Sequence, residues 1–263
     1  MNHNPVSILI SSYCGGLATQ LCIESIFKKT DYPDFNIMVC DSSPADSEDR
    51  KYLKGLWEQK KIRLLESPRQ LLHGEAIWYL IAGCETKWAV IMDCDMEIYE
   101  EDWLKYLFGF IKNDKDIGVA YYQPENVVPD RFWRTPRYLP FCMLINIDKY
   151  HEIAEDGDWL ERFNIPWEDY PYKHLFQKWK GGHPYLKIPN NRVFGDTASR
   201  FAEKMEFEKP LGYKIQHLPW HPFFTRKVSH WGGVCIYHDQ PEHLYVKDKL
   251  PIIKKHLEEL RKP

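Results

Sequence analysis

The chain has 263 residues, 44% of them hydrophobic and 28% charged, which is enough apolar material to bury a sizeable core. Its 35 Lys and Arg against 38 Asp and Glu leave a formal net charge of −3, which excludes bulk electrostatic binding of nucleic acid. No apolar run approaches a membrane span, and the first residues carry neither a basic region nor an apolar targeting segment, so a cytoplasmic protein is expected.

Residues 6–10 read as a buried first strand. Ser11, Ser12, Tyr13 and Cys14 follow, then Gly15 and Gly16, where small residues let backbone approach a ligand closely. A helix with Leu17, Leu21 and Phe27 among its apolar positions comes next. Residues 36–40 predict a second strand ending at Asp41. An acidic residue at that tip is placed either to accept hydrogen bonds from a base or ribose or to cap the turn that Ser42, Ser43 and Pro44 make. A helix over about 46–59 carries Leu53, Leu56 and Trp57 on one face, and residues 62–65 predict a third strand. Arg69, in the loop beyond it, is a candidate for a base or phosphate contact, or else a solvent-exposed loop arginine. A helix bearing Ile77, Leu80 and Ile81 follows.

The next strand, from Trp88, ends in Asp93 and Asp95. Strand alternation predicts that the two carboxylates point the same way while Cys94 points back. They lie at the carboxyl end of a buried strand, the edge where open α/β sheets bind ligands. Two hard oxygen donors there suit Mg²⁺ or Mn²⁺ held jointly with a substrate's phosphates. The same Asp-x-Asp spacing recurs at Asp114 and Asp116 and at Asp156 and Asp158, in polar, turn-like surroundings that predict solvated loops. The order β-α-β-α-β-α-β over the first hundred residues implies a parallel sheet with right-handed crossovers. Neither a Gly-x-Gly-x-x-Gly nor a Gly-x-x-x-x-Gly-Lys phosphate loop is present. Seven cysteines at 14, 22, 40, 84, 94, 142 and 235 form no Cys-x-x-Cys pair, so reduced buried thiols are expected rather than a zinc site.

Beyond the metal strand come a helix with Trp103, Leu104, Leu107, Phe108 and Ile111, a strand at 118–122, a Pro- and Arg-rich loop at 123–140, and a strand at 141–147. Strict alternation ends here, so a mixed sheet and an acceptor-side half are expected. Glu168 and Asp169 open a helix predicted through Leu175, Phe176 and Trp179 and closed by Gly181 and Gly182, with a short strand at 185–188. The acidic pair is either a helix N-terminus favoured by the dipole or a carboxylate base aimed into the cleft. The tail from Pro251 places Ile252, Ile253, Leu257 and Leu260 on one helical face, to dock on the domain or, being basic, to touch a membrane surface.

Taken in order, residues 6–13, the Asp41 turn, Asp93 with Asp95, and Trp167 with Glu168 and Asp169 resemble the family 2 inverting glycosyltransferases of GT-A fold. The stretch 161–182 is similar to bacterial rhamnosyltransferase-like members. The resemblance covers about residues 5–190. It implies one GT-A domain: a nucleotide-sugar-binding half to about residue 100, an acceptor half over about 101–245, and a C-terminal helix over 246–263. By the same resemblance Asp41 reads the base, Asp93 contacts ribose and metal, Asp95 binds the metal, Mn²⁺ or Mg²⁺, and Asp169 is the general base with Glu168 as neighbour or substitute. Ser11, Ser12, Tyr13 and Arg69 join the donor site. Family members often carry a late His near the metal. Of His217, His221, His230 and His238, His230 is chosen because Gly232 and Gly233 let its loop close over a diphosphate. The implied donor is a UDP- or dTDP-sugar. The acceptor is a glycan, lipid-linked, protein or small-molecule nucleophile, and membrane contact is at most peripheral, at the inner face. Departures are visible. Ser11 and Ser12 stand where Pro-Thr is common, one Asp remains after the second strand, and Ile77 and Trp78 replace an Arg-Asn pair. The alternatives are a sugar-nucleotide nucleotidyltransferase, against which the lack of a basic residue over 11–16 counts, and a non-catalytic nucleotide or glycan binder.

Overall fold

The structure is a computed structural model that describes residues 5–111, 117–122, 142–155, 158–159, 162–174, 192–195, 199–210, 213–218, 227–231 and 244–262. The expected loop at 123–140, the pair Asp114 and Asp116, the helix from Leu175 to its closing glycines, the strand at 185–188, His221 and His238 lie outside the described residues.

The first half alternates as its periodicity predicts. It runs β1 (Val6–Ser12), α1 (Leu17–Lys29), β2 (Phe35–Asp41), α2 (Glu48–Glu58), β3 (Arg63–Glu66), α3 (His73–Ala82) and β4 (Trp88–Asp93). Then come β5 (Met96–Ile98), α4 (Trp103–Ile111), β6 (Ile117–Tyr122), β7 (Cys142–Asn146), α5 (Ile147–Ile153), β8 (Arg162–Pro166), a 3₁₀ turn (Trp167–Asp169), β9 (Arg192–Gly195), α6 (Ser199–Glu203), β10 (Lys214–Leu218), β11 (Val228–His230) and α7 (Leu244–Leu260).

Among the described residues the central sheet has seven strands in the order β10-β6-β7-β4-β1-β2-β3. β1 pairs in parallel with β2 and β4, and β2 with β3. β7 runs antiparallel between β4 and β6, so the sheet is mixed, as expected. Both faces are apolar, which is why the strands read as continuous hydrophobic runs. Val6, Ile8, Ile10, Trp88, Val90 and Met92 face one layer with residues of α1, α2 and α4; Leu9, Ala89 and Ile91 face the other with α3 and α6. Not every apolar position predicted inward is so: Trp57 and Phe27 are exposed.

Two expectations are corrected. The second acidic pattern is not a solvated loop at Asp158, which is fully buried; Lys204 Nζ lies 3.0 Å from its Oδ2, and the Glu155 amide donates to the same oxygen. The acidic strand itself ends at Asp93. Cys94 and Asp95 form a turn, because Met96 begins a new antiparallel pairing with β11. Alternation along one strand therefore does not set the direction of Asp95.

The C-terminal helix docks on the domain. Ile253 and Leu257 are buried against Ala18 and Leu21 of α1. Arg261 Nη2 holds Glu24 Oε1 at 2.6 Å, and Lys28 Nζ donates to the Leu260 carbonyl at 2.7 Å. Among the described residues no helix is long and apolar enough to cross a membrane.

Candidate functional site

The register of the central strands assembles one acidic edge. Ser11 stands beside both Cys40 and Asp93, and Ser12 beside Asp41, so the carboxyl ends of β1, β2 and β4 meet in adjacent rows. Ser11 and Ser12 are buried, Tyr13 half-buried. The loop after β1 has an unusual path: Cys14 and Gly16 both take positive φ, 50° and 56°. It is tied down by its neighbours. The Cys14 amide donates to Ser43 Oγ at 2.9 Å, and the Gly16 amide to Asp49 Oδ1 at 2.7 Å. A Cβ on Gly16 meets nothing within 4 Å, so only the dihedral resists a side chain. Gly16→Ala is expected to cost about 1–3 kcal/mol, because φ 56° with ψ −126° is a region that a residue bearing a Cβ rarely adopts, read as a lower midpoint in urea unfolding.

Asp41 is fully buried, and the chain itself takes up both of its carboxyl oxygens. Oδ1 accepts from Ser43 N at 3.2 Å and Ser43 Oγ at 2.6 Å; Oδ2 accepts from Arg50 Nε at 2.8 Å. Arg50 also donates from Nη2 to the carbonyls of Asp41 and Ser67. The turn-capping alternative thus describes this side chain, and a base contact from its carboxylate would have to displace one of those bonds. Arg69 is exposed and forks onto Glu75, Nη1 lying 3.0 Å from Oε2, which makes it a brace between its loop and the first turn of α3. The Glu75 carboxyl is held below its ordinary range chiefly by this hydrogen bond.

Asp93 is partly exposed at the end of β4, and His73 Nε2, at the start of α3, stands 3.2 Å from its Oδ1. His73 was not singled out from sequence. Its signal would have been a polar ring opening a helix that leads straight into the acidic strand. Asp95 is buried, and its carbonyl accepts from the Trp231 amide at 2.9 Å. β11 pairs with β5, His230 opposite Met96, so the backbone of the chosen late His adjoins the acidic turn. Lys249 of α7 also reaches this corner. Its ammonium bonds the Trp231 carbonyl and feels the field of Asp95, while burial lowers its pKa. Among the described residues no group of three or more His, Cys, Asp or Glu could hold a metal ion. Asp93 and Asp95 are hard oxygen donors, the type a divalent cation takes when phosphates complete its coordination.

The neighbouring thiols take no part. Burial, with Asp41 beside it, pushes the Cys40 thiol up to about 11, and burial raises Cys22 and Cys142 as well, as expected for inert core cysteines. A cavity of about 380 Å³ among Asn36, Trp57, Lys60 and Leu64 lies at the amino end of β2, away from these carboxylates.

Glu168 and Asp169 occupy the 3₁₀ turn after β8, and both are exposed. The turn is anchored by Tyr170, which is fully buried and donates its hydroxyl to the buried Glu203 at 2.8 Å. Lys173 and His174 are helical just beyond the turn, and the rest of the helix expected from this pair lies outside the described residues.

Residues 7–194, more than half of the chain, match the profile of Glycosyl transferase family 2. The chain belongs to glycosyl transferase family 2. Members of this family use nucleotide-sugar donors and carry the GT-A fold, an α/β architecture around a mixed central sheet such as the one described above. No curated protein sequence matches the chain. Similar solved structures include the mannosyltransferase PcManGT from Pyrobaculum calidifontis in complex with GDP-Man and Mn²⁺, at 13% identity and a TM-score of 0.49 over 86% of this chain. They also include glucosyl-3-phosphoglycerate synthase from Mycobacterium tuberculosis with Mn²⁺, UDP and glucosyl-3-phosphoglycerate, at 16% identity and 0.40 over 55%. A third is S. aureus TarS 1–349, at 15% identity and 0.45 over 73%. This family 2 chain spans 60%, 57% and 58% of those three, less than two thirds of each.

Proposed function

We propose that the chain is a metal-dependent inverting glycosyltransferase that moves a sugar from a nucleoside-diphosphate donor to an acceptor nucleophile, usually a hydroxyl. The observation that carries this reading is the strand register, which sets Ser11, Ser12, Asp41 and Asp93 in adjacent rows at one sheet edge with Asp95 on the turn just beyond. Ser11 and Ser12 at the end of β1, with Tyr13, receive the nucleotide, and the backbone just beyond, at Cys14 and Gly16, is set by Ser43 and Asp49. Asp41 and Arg50 frame the base end, and Arg69 serves the donor if it exchanges Glu75 for a base or phosphate. Asp93 and Asp95, with His230 from β11, would hold Mn²⁺ or Mg²⁺. When bound, the cation neutralises charge on the departing diphosphate. Asp169 takes the acceptor proton, and Glu168 is its neighbour or substitute. Exposure suits this role, because an acceptor has to reach the base from solvent.

The resemblance of the stretch 161–182 to rhamnosyltransferase-like members makes a dTDP- or UDP-linked deoxysugar the first donor to try. The acceptor, whether glycan, lipid-linked, protein or small molecule, is sought in the cytoplasm or at the inner face of the membrane.

A thermal-shift panel of nucleotide sugars with and without Mn²⁺ tests donor and metal together. A ligand at about one hundred times its Kd adds about 2.7 kcal/mol to the folded state. For a chain of this size that raises the midpoint by about 5–10 °C. A rise that needs both Mn²⁺ and one nucleotide class is the expected result. No rise with any donor, with or without metal, would sink the reading.

A further inference from the structure

Glu97 is a carboxylate buried to 4% exposure, two residues beyond Asp95, in a short strand flanked by buried Met96 and Ile98. Burying a charge there is costly unless partners offset it. The partners come from far along the chain. His256 Nδ1, on α7, lies 3.0 Å from both Glu97 oxygens, and Trp231 Nε1 donates to Oε2 at 3.1 Å. The Trp231 and His256 rings meet edge to face, with centroids 5.6 Å apart. Every polar group of Trp231 is thereby engaged: indole N–H to Glu97, amide N–H to the Asp95 carbonyl, and carbonyl to the Lys249 ammonium. Lys249, Ile253 and His256 are spaced by four and three, which puts them on one stripe of α7. Ile253 supplies the apolar docking, and the other two reach over to Trp231.

We propose that Glu97 and His256, with Lys249, are positioning residues that hold Trp231, and with it β11, against the Asp95 turn, so that α7 sets how tightly the acidic edge binds a divalent cation. The inference rests on the donor-site reading above. Asp95 sits in a turn between two strands, where backbone freedom would blur its carboxylate. The Trp231 amide pins that turn at the Asp95 carbonyl. Ligand carboxylates need placement within a fraction of an ångström, and outer partners of metal ligands typically change metal affinity by about 10–100-fold.

The test is Mn²⁺ affinity in the presence of UDP or dTDP, read from the electron paramagnetic resonance signal of free Mn²⁺, with circular dichroism confirming the fold. Trp231→Phe keeps an aromatic ring and the backbone bonds but removes the indole N–H donor to Glu97, with some loss of ring packing. His256→Ala removes the anchor on α7, and His256→Asn restores a donor near the Nδ1 position. The expected result is a Kd for Mn²⁺ about tenfold higher in the first two variants and recovered at least in part in the third. Folded variants that bind Mn²⁺ as tightly as the wild type would overturn the positioning role and leave the donor-site reading standing. A wild type that binds no Mn²⁺ with either nucleotide would overturn both.

Discussion

Asp95→Asn is expected to lower sugar transfer about a thousandfold while the protein stays folded. The substitution keeps the shape of the side chain and removes its charge. A cation at a leaving diphosphate is worth several kcal/mol, and about 4 kcal/mol corresponds to roughly three factors of ten. Asp95 is the buried member of the acidic pair, while Asp93 already has His73 beside it. Loss at Asp95 should therefore appear both as weaker Mn²⁺ binding and as slower turnover. Asp169→Asn gives a contrasting pattern. That side chain is exposed, and the sheet register places it in none of the rows at the acidic edge, so donor and Mn²⁺ affinity should hold while kcat falls by about a hundredfold or more. Steady-state kinetics with the donor found by thermal shift separates the two. An Asp95→Asn enzyme retaining a tenth of wild-type transfer would remove Asp95 from the metal site.

Much of this architecture was legible because it is local. Period-two alternation and continuous apolar runs gave β1, β2 and β4 within about two residues, and the loss of βα alternation after residue 122 pointed to the mixed sheet that antiparallel β7 makes. Asp93 and Asp95 were placed at the right edge of the sheet. The turn at Cys94 was not foreseen, because it depends on β5 leaving the sheet to pair with β11, a segment more than 130 residues later. The same cause hid the partners that decide what each carboxylate does. Glu97 and His256 are 159 positions apart, and Asp158 and Lys204 are 46 apart. Local pattern gives Asp158 a polar loop and Glu97 an anomalous charge among apolar neighbours. Only the folded chain supplies the cations and donors that make those burials tolerable. Besides His73, one further signal was within reach: a histidine on the apolar stripe of a docking helix, three residues after Ile253 and just before Leu257.

Arg50→Ala is expected to destabilise the fold by about 3–5 kcal/mol, because it leaves a buried carboxylate without its cation. Arg50 is itself buried, and its guanidinium spans Asp41 Oδ2 at 2.8 Å, the Asp41 carbonyl at 3.1 Å and the Ser67 carbonyl at 2.9 Å. It thus ties the end of β2 to the end of β3. Ser43 alone would remain on Asp41, and a hydroxyl and an amide do not balance a charge out of reach of water. Arg50→Lys should recover little, since one ammonium cannot reproduce a fork onto three acceptors. Small domains hold only about 5–15 kcal/mol in total, so the loss consumes a large part of the margin. The damage should also reach the donor loop. Ser43, oriented by Asp41, is what the Cys14 amide donates to, so loosening Asp41 loosens the backbone after β1. Urea unfolding of the Arg50→Ala, Asp41→Asn and double variants measures the coupling directly. A double variant more stable than Arg50→Ala alone is the expected sign, because Asn at 41 no longer needs a cation. A single-variant loss under about 1 kcal/mol, the range of an exposed ion pair, would mean that Asp41 is neutralised some other way.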